Sequence, residues 1–210
     1  MKRFTNVYFG TSDLKEAIEK SELLASETPK SISSMEKICV PYIQKDFPDL
    51  NINELKSMAE EAILKCINAV ETNNTTNIGY NDKIKIWIKT KINDFNNETV
   101  HFDSIKFHQT VISKYDKNDS IATITLHSGI EYYFKIGNEI VRKVQDRFRI
   151  EFIYVIDESK LDTNIKSLGL NCPNCGAAIK TLGEKQCVYC GSKIKELVKK
   201  TWSLNNIKNY

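Results

Sequence analysis

Two hydrophobic periods divide the chain. Up to about residue 95 apolar residues recur every three or four positions, and from Val100 onward they alternate with polar ones. Residues 12–26 predict a first helix, with Leu14, Ala17, Ile18, Ser21 and Ala25 in a narrow stripe and Asp13 with Glu16 as a capping box. Residues 28–34, TPKSISS, read as a linker. In MEKICVPYIQKDFPDLN, Pro41 and Pro48 interrupt the apolar anchors Ile38, Val40, Tyr42, Ile43 and Phe47, which predicts an irregular strap over a hydrophobic surface. The clearest helix follows Asn51 or Asn53 as cap. Leu55, Met58, Ala59, Ala62, Ile63, Cys66 and Val70 share its apolar face, so Cys66 reads as a buried, inert thiol. Residues 82–95 fit a strand through KIKIWI and a helix through Ile84, Trp87, Ile88, Ile92 and Phe95; the helix is the reading adopted.

The alternating half predicts a meander. Its strands are HFDSIKFHQTVISKY, IATITLHS with Ala122, Ile124 and Leu126 on one face, IEYYFKI ending at Gly137-Asn138, and EIVRKV leading into RFRIEFIYVID. Short connections make neighbours antiparallel. Helices followed by strands give an α+β fold, with helices packed on one face of a curved antiparallel meander. A polar linker then leads to a small C-terminal unit, and KIKELVKKTWSLNNI predicts a strand returning to the sheet or to that unit. The expected division is an N-terminal helical arm and linker (1–35), the α+β domain (36–160) and a C-terminal ribbon with its closing strand (168–210).

That ribbon carries the chain's strongest motif. Cys172 and Cys175 form one CxxC pair, Cys187 and Cys190 another, each followed by glycine, Gly176 and Gly191. Two such knuckles supply the four thiolates that zinc takes at about 2.3 Å, with no open coordination position, so the expected zinc ion is structural rather than catalytic. A redox CxxC comes once and near a βαβ pattern, which is not seen here.

Composition changes the picture only modestly. With 41% hydrophobic and 27% charged residues over 210 positions, the chain is expected to bury a core. No apolar run approaches a membrane span, and the N-terminus lacks a secretory signal, which points to a cytoplasmic protein. The net charge of +3 is uneven: residues 168–210 carry seven lysines and two glutamates, leaving a balance of −2 for the rest. Lys83, Lys85, Lys89 and Lys91 on the helix at 82–95 raise contact with an anionic membrane surface. Lys193, Lys195, Lys199 and Lys200 with Tyr189 and Trp202 raise nucleic-acid binding.

Phosphate-binding loops, nucleophile elbows and HExxH are missing from the sequence. His108 and His127 are candidates to face one another across neighbouring strands, and Asp103, Glu131 and Glu151 to pair as carboxylates. Arg142, Arg147 and Arg149 gather in one strand region. None of these sets is tied together by spacing, and the chain reads as non-enzymatic.

Helix, amphipathic helix and the meander FDSIKFHQTVISKY, ATITLHS and RFRIEFIYVID resemble the Tim-forty-four-like domain, named for a peripheral subunit of the mitochondrial inner-membrane import motor. That domain belongs to the cone-shaped folds like nuclear transport factor two, in which a curved sheet wraps a long helix around an apolar pocket. CPNCGAAIKTLGEKQCVYCGS is similar to the zinc ribbon that bacterial members carry behind it, and PYIQKDFPDLNINELK and the final WSL also look like those proteins. The resemblance spans roughly residues 36–204. It implies a binding or adaptor protein for a lipid, peptide or protein partner, with a pocket or groove lined from Phe107, Val111, Ile124, Leu126, Phe148, Phe152 and Tyr154. The nucleic-acid reading and a small-molecule enzyme of the cone fold are the alternatives.

Overall fold

The structure is a computed structural model and describes residues 14–74, 80–95, 98–137, 139–156, 174–175, 177, 186–192 and 201–210. Within these it contains helices α1 (Leu14–Glu27), α2 (Glu36–Asp46), α3 (Ile52–Glu71) and α4 (Asp82–Asp94), and strands β1 (Val100–Lys117), β2 (Ile121–Ile136), β3 (Glu139–Val155) and β4 (Ser203–Asn209). The strands form one antiparallel sheet in the order β1-β2-β3-β4. The α+β class is therefore as expected. Among the described residues no helix is long and apolar enough to cross a membrane.

Helix α3 forms where its pattern is strongest. Asn51 is the cap, its side-chain oxygen accepting from the Asn53 and Glu54 amides at 3.0 and 3.3 Å. At the other end Asn73 takes a left-handed φ of 49°, and the Asn73 and Asn74 amides reach back to Val70 and Ala69 carbonyls. That is a Schellman closure with asparagine where glycine is commonest. Leu55, Ala59, Ala62, Ile63, Cys66, Ile67 and Val70 are buried, and Met58 is half out of the core at 38% exposure. Burial pushes the Cys66 thiol up to about 12, which leaves it inert. Helix α4 resolves the ambiguity at 82–95: Asn81 caps Ile84, and Ile84, Ile88 and Ile92 are buried at four-residue spacing. A strand would have turned Ile84 and Ile88 to the same face as the more exposed Ile86.

The strap is a correction. Residues 36–46 form α2 despite Pro41 in its interior, where proline removes one helical hydrogen bond. Tertiary ties hold it instead. Cys39 and Ile43, one turn apart, are buried, the Met35 amide donates to the Ile112 carbonyl, and Glu36 accepts from the Ile112 amide. The first helix is found close to its expected bounds; of its expected stripe Ser21 and Ala25 are exposed, as are Leu23 and Leu24, while the side chains of Leu14, Ala17 and Ile18 lie outside what is described. Its capping residue Asp13 lies outside the described residues. Helix α1 meets β3 through polar contacts, with Lys143 paired to Glu27 at 3.0 Å and the Gln145 side-chain amide donating to the Ser26 carbonyl.

The meander also differs from expectation in strand length. IATITLHS and IEYYFKI are one strand, β2, and EIVRKV runs unbroken into RFRIEFIYVID as β3. Gly129 falls between the expected strands IATITLHS and IEYYFKI but lies within the ladder, opposite Gln109 and Arg147. A Cβ on Gly129 would come 2.9 Å from Cδ1 of Ile32. Glycine is there because residues 28–34 cross the sheet at that point, not because the chain reverses. The true reversals use Asn118, whose side chain accepts from the Ser120 and Ile121 amides, and Gly137 at φ +57°. Three register shifts interrupt β1, and Ser104 beside the first has φ 53°. Such bulges bend a strand and increase its twist.

Alternation gives the sheet two unlike faces. Ile112, Ile124, Leu126, Ile130, Ile150, Phe152 and Ile207 are fully buried and belong with α2, α3 and α4 to one core. The opposite face presents His127, Glu131, Arg147, Arg149 and Glu151. Strand β4 completes the sheet by pairing Ile207 with Ile150, and Asn81 ties α4 to it by donating to the Asn205 carbonyl at 2.7 Å. The closing strand thus belongs to the sheet and runs from Ser203 to Asn209; residues 193–200 of the expected run lie outside the described residues.

Replacing Leu126 by Ala is expected to lower unfolding free energy by about 2–5 kcal/mol in urea titration. The same truncation at exposed Ile86 should change it by less than about 0.5 kcal/mol. Equal effects would contradict this core assignment. Asp46 makes a second prediction. Lys117 and Tyr115 hydrogen-bond its carboxylate at 2.7 and 2.8 Å and hold it below the usual range. A depressed folded-state value adds stability above the unfolded value, and this is lost as pH falls through the folded one. The wild type should therefore exceed D46N in urea midpoint at neutral pH, and the gap should close on acidification; a constant gap would refute the assignment.

Candidate metal centre and ligand cavity

The described residues of the expected ribbon bring three of the four expected ligands together. The sulfur atoms of Cys175, Cys187 and Cys190 all lie within 4.8 Å of one another; Cys172 lies outside the described residues. The turn after Cys187 explains the placement. The Gly191 amide donates to the Cys187 carbonyl at 2.8 Å, the Cys187 amide to the Ser192 carbonyl at 2.9 Å, and Gly191 adopts φ +67°, a conformation that favours glycine. Cys175 and Cys187 are 3.7 Å apart, sulfur to sulfur. A disulfide needs about 2.05 Å. Four sulfurs about 2.3 Å from one zinc are about 3.8 Å from each other. The pair fits the edge of a metal tetrahedron and not a covalent bridge.

Polar neighbours favour the thiolate form. Ser192 Oγ is 2.6 Å from Cys190 Sγ, and Asn174 Nδ2 donates to the same sulfur at 3.7 Å. With hydrogen bonds from Ser192 as the largest cause, the Cys190 thiol is held down to about 6, so it is largely ionised at neutral pH. The cluster can hold a metal ion, and a soft sulfur set suits zinc among the divalent cations.

Apart from a cavity of about 670 Å³ between α1 and β3, two cavities lie between α2–α4 and the sheet. One, of about 450 Å³, is bordered by the α2–α3 connection, Leu55 and Met58 of α3, Tyr154 and Trp202. Phe47 stands edge-on to Tyr154 and to Trp202, with centroids 4.8 and 5.0 Å away. Trp202 is therefore packed into an aromatic cluster, where stacking on a nucleobase would first require its release. The second cavity, of about 290 Å³, is walled by Ile67 and Val70 of α3, Trp87 and Phe95 of α4, Phe102, Tyr132, Val144 and Phe148.

The expected lining residues distribute as follows. Phe148 lines the smaller cavity and Tyr154 the larger. Ile124, Leu126 and Phe152 are in the packed core and Phe107 lies against it, whereas Val111 sits opposite His127 on the other sheet face. Trp87, Tyr132 and Phe47 were not among the expected lining residues. Asp146, also in the smaller cavity, is visible in sequence as an acid interrupting the run Val144, Phe148, Ile150, Phe152.

The candidate polar sets come apart. His127 faces Val111 and Arg149 rather than His108, and burial with Arg149 and Arg147 beside it lowers its pKa. His108 Nε2 lies 3.3 Å from Glu131 and 3.0 Å from the Gln145 side-chain oxygen. The three carboxylates do not pair with each other: Asp103 meets Lys135, Glu131 meets Lys143 and Glu151 meets Arg149. Arg147 stacks on Tyr210 at 4.7 Å. On α4, Lys83 and Lys89 are exposed while Lys91 pairs with Asp94 and borders the smaller cavity. The four lysines flank the buried stripe on both sides rather than sharing one face.

No family model matches the chain, and neither does any curated protein.

Metal analysis of the purified protein should find one zinc per chain, lost in C187S. Asn174→Ala should weaken zinc affinity by about tenfold in a chelator competition, through the lost hydrogen bond to Cys190. Wild-type protein that is metal-free when purified without chelator would overturn the assignment.

Proposed function

We propose that the chain is a non-catalytic binding or adaptor protein of the cone-shaped, Tim-forty-four-like kind, working in the cytoplasm. It takes an apolar ligand, or an apolar segment of a partner, between its helices and its sheet. The observation that carries this reading is the aromatic-walled cavity of about 290 Å³ enclosed by α3, α4 and the helix-covered face of β1–β3. Ligand sites are concave, with apolar walls and polar groups that fix orientation; here aromatic and aliphatic walls meet a polar border of Lys30, Lys91, Asp94, Arg142, Gln145, Asp146 and Asn209, at the small end of the usual volume range. The bulged, bent β1 supports a sheet that curves around the helices.

The second part of the proposal is a zinc ribbon. Cys172 would join Cys175, Cys187 and Cys190 as fourth thiolate, and a closed four-sulfur site would brace the ribbon without activating water. The ribbon then serves as a docking module. The spacing of the three described sulfurs supports the metal site.

Native mass spectrometry of protein purified gently from its own source, set against the denatured mass, tests both parts. One zinc and a co-purifying small molecule are expected. A heteromer with an empty cavity would instead favour an adaptor that works through surface contacts. A metal-free monomer that carries nothing would remove the proposal.

A further inference from the structure

The smaller cavity holds a buried charge that an apolar ligand alone does not explain. Val144, Asp146 and Phe148 follow one another on the helix-covered face of β3, and Asp146 is only 9% exposed. Burying a carboxylate is costly unless hydrogen bonds or a cation replace its water. Its Oδ1 accepts from the Arg147 amide at 2.8 Å, and its Oδ2 from Asn209 Nδ2 at 3.2 Å and more distantly from the Tyr132 hydroxyl at 3.4 Å. All three donors are neutral. A carboxylate has about four acceptor positions, so these contacts leave capacity for one more donor. Among the described residues no lysine or arginine pairs with Asp146; Lys91 pairs with Asp94, and Lys143 with Glu27 and Glu131.

The walls suit a cation as well. Phe102 and Tyr132 meet edge to face at 5.2 Å, Trp87 and Phe148 at 6.0 Å, and all four line the space beside the acid. Aromatic faces attract ammonium groups, most strongly where water is excluded. Lys30, Lys91 and Arg142 also border the cavity; Lys91 is paired with Asp94, and Lys30 and Arg142 are exposed, so solvent and salt weaken their repulsion. An acid in this cavity would meet the like charge of Asp146.

We propose that this cavity binds a small organic amine, its ammonium group on the Asp146 carboxylate and its apolar body against Trp87, Phe102, Tyr132 and Phe148. The inference rests on the pocket reading above and names its ligand class.

Calorimetric titration of the full chain with 2-phenylethylamine, 2-phenylethanol and 3-phenylpropanoate separates the two ideas, because these probes share a body and differ in the head group. The amine should bind most tightly, at least about tenfold better than the alcohol, through a charge-assisted contact. In D146N that preference should vanish while the alcohol binds as before. The ranking in wild-type protein stands by itself should the variant fail to fold. Equal binding of amine and alcohol, tighter binding of the acid, or a preference that survives D146N would overturn the amine assignment and leave the pocket reading intact. Binding of none of the three would refute both.

Discussion

Burial of one sheet face beneath α2, α3 and α4 is the constraint on which the rest of the molecule depends. Three strands of sixteen to eighteen residues expose far more apolar surface than they could keep in water. Ile112, Ile124, Leu126, Ile130, Ile150 and Phe152 line up only because every second residue of each strand points the same way. At about 25 cal/mol per Å² of apolar area, covering that surface is the dominant favourable term in assembling the fold. A register slip of one residue in β2 would turn this stripe out and bring His127 and Glu131 in. The polar character of the opposite face is therefore part of what sets the register.

The cavity is a consequence of the same layering. Helix α3 is tightly applied through Ala59, Ala62 and Ile63, whereas at its C-terminal end the wall consists of large rings from α4, β1 and β2. Rings in edge-to-face contact fill space less completely than aliphatic side chains that interdigitate, and a void remains beside Asp146. The acid is tolerated because β2, β3 and β4 each supply it a donor: Tyr132, the Arg147 amide and Asn209. The metal cluster is of another kind. It is assembled locally by turns of a few residues, and it needs no core to bring Cys187 and Cys190 together.

Much of this is legible in the chain. The period of the apolar residues places α3, β1 and the alternating face of β2, and the CxxC spacing singles out Cys175, Cys187 and Cys190, because both signals are local. Where the reading departs from the structure, a distant contact outweighs a local cue. Pro41 suggests irregular backbone, yet Ile112 and Glu36 hold α2 together across more than seventy residues of sequence. Gly129 separates two expected strands, yet Ile32 needs the space that a side chain there would fill.

The amino-acid sequence by itself determined the class of the fold, the helix-to-strand change near residue 95 and three cysteines that come together where they could hold a metal ion, since periodicity and motif spacing are properties of neighbouring residues. Tertiary structure alone decided the return of β4 to β3, the separation of His108 from His127 and the cavity between Trp87, Tyr132 and Asp146. Those depend on strand register and on rings contributed by four elements. No local rule brings such residues together; burial of the whole sheet does.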